Sequence, residues 1–231
     1  MFLAEGPNVV EAALRRGLVV EVFATESARS RFEPLLTGTT VHVVTDKAAK
    51  SLSDTVTPVG LYAVCRRPTI ELSDVLGTAP RLVLVAVETS EPGNAGTLIR
   101  IADAMGADAV VFAGDSVDPY NGKCLRASAG SIFGLPVVES ADVAALVTNL
   151  REAGLAILAT TLDGEVSLDD ADVSGPTAWL FGSEAHGLTP ELSGLADVRV
   201  RVPMAGSAES LNVAAAAAIC LYQSARAARR G

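Results

Sequence analysis

Three stretches of this chain gather carboxylate, amide, hydroxyl or guanidinium groups beside glycine or proline where apolar runs end. In the last of them, Val202-Pro-Met204-Ala-Gly206-Ser-Ala-Glu-Ser210-Leu211-Asn212, the alternating segment before Pro203 reads as a strand. Pro203 cannot donate a backbone hydrogen bond, and Gly206 permits unusual dihedrals. Ser210 stands where a helix begins, and Leu211 to Arg226 reads as that helix, buried. A helix N-terminus behind a strand offers unpaired N–H groups and the positive end of a dipole, which suits a polar or anionic ligand. In Glu91-Pro-Gly-Asn94-Ala-Gly96-Thr-Leu-Ile-Arg100, Asn94 is placed as an N-cap and Gly96 allows close backbone approach. Arg100 lies off the apolar stripe of Leu98, Ala102 and Met105. Its guanidinium either pairs with Asp103 one turn on or reaches phosphate or ribose oxygens. The third stretch, Phe181-Gly182-Ser-Glu184-Ala-His186-Gly187-Leu188, sets a carboxylate and an imidazole between two glycines. Taken singly, each stretch reads first as the cap of a core helix or a turn behind a strand.

Other chemistries lack their signatures. The two histidines, His42 and His186, are not accompanied by a G-x-S-x-G nucleophile elbow, and no G-x-G-x-x-G dinucleotide fingerprint follows a strand. Cys65, Cys124 and Cys220 are widely spaced and lack zinc-site pairing, so no metal is expected and the thiols read as reduced core residues.

The elements that must position these groups alternate between strand and helix. Phe2–Ala4, Val19–Ala24, Val41–Val44 and Gly60–Cys65 read as strands, with helices over Pro7–Arg16, Ser27–Leu36 and Asp46–Leu52. Pro7 suits a first helical position, Gly17 a stop, and Ser27 and Asp46 N-caps. Residues 69–80 carry turn residues without a sustained period and are placed as a linker. Beyond it, near-continuous apolar strands at Leu82–Val87, Ala109–Phe112, Leu135–Val138, Ala156–Ala159, Thr177–Phe181 and Val198–Val202 alternate with helices. That pattern implies a parallel sheet covered on both faces, whose ligands lie beyond the strands' C-terminal ends. The fold class is therefore α/β: a small unit of residues 1–68, the linker, and a larger parallel-sheet unit of residues 81–231.

With 231 residues and 49% hydrophobic content, the chain has ample material for packed cores. Its apolar runs fall short of the roughly 20 residues that span a bilayer and no signal segment opens it, which predicts a cytoplasmic protein without membrane association. The net charge of −9 is uneven: residues 1–68 hold eight Lys/Arg against seven Asp/Glu, residues 81–231 ten against eighteen. A polyanion would have to be met by local pairs such as Arg15/Arg16, Arg29/Arg31 and Arg66/Arg67, or by the Arg199/Arg201 strand edge.

Read together and in order, Asn94-x-Gly96-x-x-x-Arg100, Phe181-Gly-x-Glu184-x-x-Gly187-Leu and Val202-Pro-Met-x-Gly206-x-x-x-Ser210-Leu-Asn212-Val resemble the SpoU, or TrmH-like, class of RNA 2′-O-ribose methyltransferases of the SPOUT fold. The likeness covers residues 81–231, and Glu5-Gly6 with Pro58-Val-Gly60 is similar to the family's small N-terminal substrate-binding domain. It implies a Rossmann-like domain with a deep trefoil knot, an exception to unknotted topology. It further implies a homodimer with a composite site and an S-adenosylmethionine pocket at Gly182, Val202 and Leu211, with Met204 and Thr160 as additions. Asn94, Arg100, Glu184, Ser210 and Asn212 then occupy the family's functional polar positions. RNA is the implied partner, and the separate N-terminal unit points to ribosomal rather than transfer RNA. The rival reading is a catalytically silent RNA-binding or assembly factor of the same fold.

Ser183-Glu184-Ala185 stands where the family usually reads Asn-Glu-Gly, which places a Cβ in a loop built for glycine. Met1-Phe2 opens the sequence without the family's usual basic stretch: either the start is truncated or misassigned, or RNA capture relies on the remaining arginines. The family assigns Arg100 the role of base. A guanidinium with a pKa above about 12 stays protonated, so an electrostatic anchor for phosphate or alkoxide suits it better.

Overall fold

The computed structural model describes every residue except Asp54, Arg230 and Gly231. The chain opens with β1 (Phe2–Glu5), α1 (Pro7–Arg15), β2 (Val19–Ala24), α2 (Glu26–Arg31), α3 (Glu33–Leu36), β3 (Val41–Val43), α4 (Asp46–Ser51) and β4 (Leu61–Cys65). These strands form a sheet in the order β1-β4-β2-β3, with β2 and β3 parallel and the other pairs antiparallel. Gly6, at φ 86°, turns the chain into α1, and Pro7 takes the first helical position, where a missing N–H costs nothing. Gly60 sits at φ 79°, and a Cβ there would lie 2.7 Å from Thr25 Oγ1; its smallness lets Thr25 reach the sheet end.

Two expected caps move by one or two residues. Thr25 and Thr45, in extended conformation at strand exits, each accept a hydrogen bond on Oγ1, from Ala28 N and Ala48 N, both at 3.2 Å. Ser27 and Asp46 thus lie inside the first turns, where the Asp46 charge favours the dipole. The helix expected over 27–36 breaks at Phe32, because Pro34 lacks the N–H that would bond the carbonyl four residues back.

The stretch 69–80 is not irregular. It contains α5 (Leu72–Leu76), started by Glu71 N donating to Asp74 Oδ2 at 3.0 Å, with Val75 buried. Five helical residues are too few for a period to show in the sequence.

The larger unit runs β5 (Leu82–Val87), α6 (Pro92–Met105), β6 (Ala109–Ala113), α7 (Gly122–Ser128), β7 (Val137–Ser140), α8 (Val143–Glu152), β8 (Ala156–Thr160), β9 (Val166–Ser167), β10 (Thr177–Phe181), α9 (Pro190–Ser193), β11 (Val198–Arg201) and α10 (Val213–Ala228). All pairings in its seven-stranded sheet, ordered β7-β6-β5-β10-β8-β11-β9, are parallel. Side chains of a strand alternate between faces. Leu82, Leu84 and Ala86 therefore join Phe112, Trp179 and Phe181 under α6, α7 and α10, while Val83, Val85 and Val87 join Val111 and Leu180 under α5 and α8. The buried Trp179 indole donates to Ser224 Oγ of α10 at 2.9 Å, so its N–H is not orphaned. All three cysteines are free and buried; burial pushes the Cys65 thiol up to about 11 and those of Cys124 and Cys220 to about 12.

The smaller sheet meets the larger unit where β1 packs on α7 and the segments flanking it. The Phe2 ring lies 5.0 Å from that of Tyr120 and 5.9 Å from that of Phe133. Beside it, Arg126 pairs with the nearly buried Glu5 carboxylate at 3.0 Å, and Arg67 covers the Tyr120 ring at 4.6 Å while bonding Asp118 and Glu139.

Gly96 does its work inside α6. A Cβ there would stand 2.3 Å from the Cys124 carbonyl oxygen and 2.6 Å from Ala127 Cβ, both in α7. We expect Gly96→Ala to push the helices apart at a cost of about 1–3 kcal/mol. Thermal unfolding should show the midpoint falling by several degrees; an unchanged midpoint would mean that α7 gives way freely.

Candidate functional site

The ends of β8, β10 and β11 and the loops behind them enclose a cleft of about 660 Å³. Thr160, Gly182, Glu184, Val202, Met204, Ser210, Leu211 and Asn212, all singled out in the sequence, line it. So do Thr161, Leu162 and Asp163, which were not, and Leu188 and Arg199, which were named there in other connections. Asn94 and Arg100 lie outside the wall. The volume and the mixture of apolar side chains with a few polar groups suit a ligand of nucleoside size or somewhat larger.

One wall is a tight turn. After β10, Ser183 and Gly187 bond each other's backbones (Ser183 N to Gly187 O 3.2 Å, Gly187 N to Ser183 O 2.9 Å), with Gly187 at φ 66°. The returning strand of this turn crosses so close to Gly182 that a Cβ there would lie 2.1 Å from Gly187 C and 2.2 Å from Leu188 N. Glycine at 182 is thus a steric requirement. Ala185 is not among the residues with positive φ, so the Cβ that departs from the family pattern is accommodated without backbone strain.

A chain of hydrogen bonds ties that turn to the other two stretches. Asn212 Oδ1 caps α10, accepting from Ala214 N at 2.9 Å and Ala215 N at 3.4 Å. Its Nδ2 donates to Asn94 Oδ1 at 3.2 Å, and Asn94 Nδ2 donates to Glu184 Oε1 at 3.0 Å. Ser90 donates to the other oxygen of Glu184 from its backbone N–H at 3.3 Å and, weakly, from its hydroxyl at 3.5 Å. The Glu184 carboxylate is thus bonded directly by the 90–94 stretch and tied, through Asn94, to the loop that ends at Asn212. Two sequence expectations are corrected here. The cap of α6 is Glu91, whose Oε1 accepts from Gly93 N at 3.2 Å, because Pro92 fixes the first helical position and leaves Asn94 in the first turn, its amide free to face Glu184. Ser210 precedes the helix rather than starting it, since the Asn212 amide reaches the free N–H groups.

The Glu91 carboxyl is held below the usual carboxylate range, first by the Lys123 ammonium bonded to it at 2.6 Å and then by Gly93 N–H. Arg100 is exposed on α6 and, among the described residues, forms no ion pair, with Asp103 or any other group. The Arg199/Arg201 edge is not free to meet a polyanion. Arg201 Nη1 donates to the carbonyls of Gly164 at 2.9 Å and Glu165 at 3.1 Å, and Arg199 pairs with Glu165 at 2.9 Å and Asp163 at 3.7 Å. Backbone N–H groups of Glu165 and Arg199 hold the Glu165 carboxyl below its ordinary range, helped by the Arg199 charge. The two arginines clamp the 161–165 loop that walls the cleft. Among the described residues no cluster of potential ligands could hold a metal ion.

Known proteins resemble this chain in sequence and fold. Residues 81–222 match the model of the SpoU rRNA Methylase family, and residues 1–63 match the MRM3-like substrate binding domain. The 23S rRNA (guanosine(2553)-2′-O)-methyltransferase RlmP of Bacillus subtilis is 36% identical over 222 residues, covering 96% of this chain and 87% of the relative. The 23S rRNA (uridine(2479)-2′-O)-methyltransferase of Streptomyces viridochromogenes is 37% identical over 174 residues, 73% of this chain and 61% of that one. The crystal structure of the SpoU methyltransferase AviRb from Streptomyces viridochromogenes in complex with AdoMet superposes with a TM-score of 0.87 at 30% identity, covering 100% of this chain and 91% of that one. An AdoMet-bound rRNA methyltransferase from Sinorhizobium meliloti gives 0.83 at 29%, with 97% and 87% covered. With three loops linked by the Asn212–Asn94–Glu184 hydrogen bonds beside a nucleoside-sized cleft, and matches that run the length of both sheets, the chain belongs to the SpoU rRNA methylase family.

Proposed function

We propose that this protein transfers a methyl group from S-adenosylmethionine to a ribose 2′-hydroxyl of ribosomal RNA. The observation that carries this reading is the Asn212–Asn94–Glu184 chain of hydrogen bonds, which joins all three stretches at the mouth of the cleft. The residues fit the cofactor: the cleft is large enough, Leu188, Val202 and Leu211 offer apolar surface, and a buried hydroxyl, Thr161 Oγ1, awaits a partner. Gly182, Val202, Leu211, Met204 and the 160–163 loop would hold it. When bound, it supplies a sulfonium methyl already activated toward an oxygen nucleophile.

What remains for the chain is positioning and charge. Arg100, uncommitted and exposed on α6, anchors the neighbouring phosphate or the alkoxide that forms as the hydroxyl loses its proton. Asn94, Glu184 and Asn212 hold the mouth of the cleft in register with α6, and Ser210 lines it. Every polar position is filled, and no feature favours the silent-factor alternative.

We further infer a homodimer in which α10 meets a second copy, because Ile219 and Tyr222 of that helix stand 40% and 51% exposed. Sedimentation at micromolar concentration tests this, a fully active monomer being the contrary result. Residues 1–68 serve as the RNA-capturing unit. Arg66 N donates to Leu18 O at 2.8 Å, which ties Arg66 to the segment two residues beyond Arg16, and neither arginine makes an ion pair among the described residues. No helix of the described residues is long and apolar enough to cross a membrane, and we place the reaction in the cytoplasm.

Incubating the protein with labelled cofactor and unmodified 23S rRNA, then mapping the label to a ribose, tests the whole reading; base labelling or none would overturn it. In Gly182→Ala the added Cβ must open the turn, so binding of S-adenosylhomocysteine should fall beyond calorimetric detection while the fold persists by circular dichroism. Arg100→Lys keeps the charge but loses the planar fork, and we expect a barrier raised by about 2.7–4 kcal/mol with cofactor affinity unchanged. Recovery of that variant at high pH would instead support a base at this position. Replacing Arg16 and Arg66 by Gln should flatten the salt dependence of RNA affinity, by about 0.7–0.9 in log–log slope for each phosphate no longer neutralised. An identical slope would move RNA capture elsewhere.

A further inference from the structure

Two threonines follow one another at the C-terminal end of β8, and their hydroxyls have different fates. Thr160 Oγ1 donates to the Leu180 carbonyl of β10 at 3.3 Å, stitching neighbouring strands. Thr161 Oγ1 is shut off from solvent and has no hydrogen-bond partner among the described residues. The backbone offers it no ready substitute: Thr161 N is already committed to Val200 O at 3.0 Å, and Leu180 O is taken by Thr160. Thr89 Oγ1 is the other buried side-chain atom without a partner among the described residues, but Thr89 does not line the cleft, whereas Thr161 does, opposite Gly182 and Leu188.

Folded proteins pair nearly all their buried polar groups, because an unpaired one forfeits its hydration for nothing. A hydroxyl orphaned in the wall of a ligand cleft is most simply explained by a partner that arrives with the ligand. We propose that Thr161 Oγ1 is a recognition group for S-adenosylmethionine, exchanging a hydrogen bond with a polar atom of the bound molecule. The Thr160 hydroxyl, by contrast, is spent on the strand-to-strand tie, although Thr160 also lines the cleft. This rests on the cofactor reading above and deepens it. A hydroxyl both donates and accepts, so either the nucleoside or the amino-acid moiety can supply the partner.

The test is calorimetric binding of S-adenosylhomocysteine to the full chain, together with thermal unfolding of the ligand-free protein. Thr161→Val preserves shape and removes the orphan. It should weaken binding about 5- to 100-fold, the range for an unmade buried hydrogen bond, while leaving the ligand-free midpoint unchanged or raised. Thr161→Ser should bind within about threefold of wild type, since the hydroxyl is retained. Repeating the titration with adenosine locates the partner: a matching loss assigns it to the nucleoside, and an undiminished adenosine affinity assigns it to the amino-acid moiety. Thr161→Ala supplies the same comparison should the valine variant not fold. Wild-type affinity in both Thr161→Val and Thr161→Ala would overturn the proposal and leave the cofactor reading intact. Loss of affinity matched by loss of stability would also overturn it, as a structural effect. Failure of the wild-type protein to bind S-adenosylhomocysteine would sink the cofactor reading and this inference with it.

Discussion

The Glu184 carboxylate is the point on which the three loops depend. It receives Asn94 Nδ2 on one oxygen and Ser90 on the other, and Asn94 is in turn fixed by Asn212, the cap of α10. These bonds all run one way, from the N-terminus of α10 toward the negative charge, so each donor polarises the next. The arrangement also removes the ambiguity of an amide's orientation: Asn94 must turn its nitrogen to a carboxylate, which only accepts, and its oxygen to Asn212. A glycine at 182 is the other half of this constraint. Without a Cβ there, the turn carrying Glu184 folds back tightly enough to bring the carboxylate to α6.

Much of this was legible in the sequence, for identifiable reasons. Strands buried on both faces are nearly continuous apolar runs, so β5, β6, β8 and β10 stand out within a residue or two, while β11 stands out by its alternation. The two-residue β9 and the five-residue α5 did not, being too short to establish a period. Caps were misplaced where two candidates adjoin: Thr25 with Ser27, Glu91 with Asn94, Ser210 with Asn212. Composition ranks such neighbours equally, and the dihedrals at the strand exit decide between them.

The site divides along the same line. Residues that matter by type, such as Gly182 or Asn212, carry a signal in their spacing. Residues that matter by what their neighbours leave undone carry none. Arg199 and Arg201 looked like a surface for a polyanion, yet the 161–165 loop returns past β11, with Gly164 so close to Arg201 N that a Cβ would lie 2.6 Å away, and it brings its carbonyls and carboxylates to both. Thr160 and Thr161 are indistinguishable as letters. Only the register of β8 against β10 shows which hydroxyl is spent.

The placement of Arg100 bears on how the acceptor must approach. Six residues separate it from Asn94 on α6, which sets it about 9 Å along the axis and about a third of a turn around it. Asn94 faces Glu184 and Asn212, while Arg100 is exposed to solvent, outside the lining of the cleft, and among the described residues no carboxylate pairs with it. On the role proposed for Arg100, an acceptor held by this guanidinium would come to the methyl donor from outside the residues that line the cleft. That geometry separates the two binding tasks. The cleft can be shaped by buried glycine and hydroxyl groups, while an acidic chain keeps cations such as Arg16, Arg66 and Arg100, unpaired among the described residues, on the outer surface, where a polyanion would reach them without crossing the acidic wall of Asp163 and Glu184.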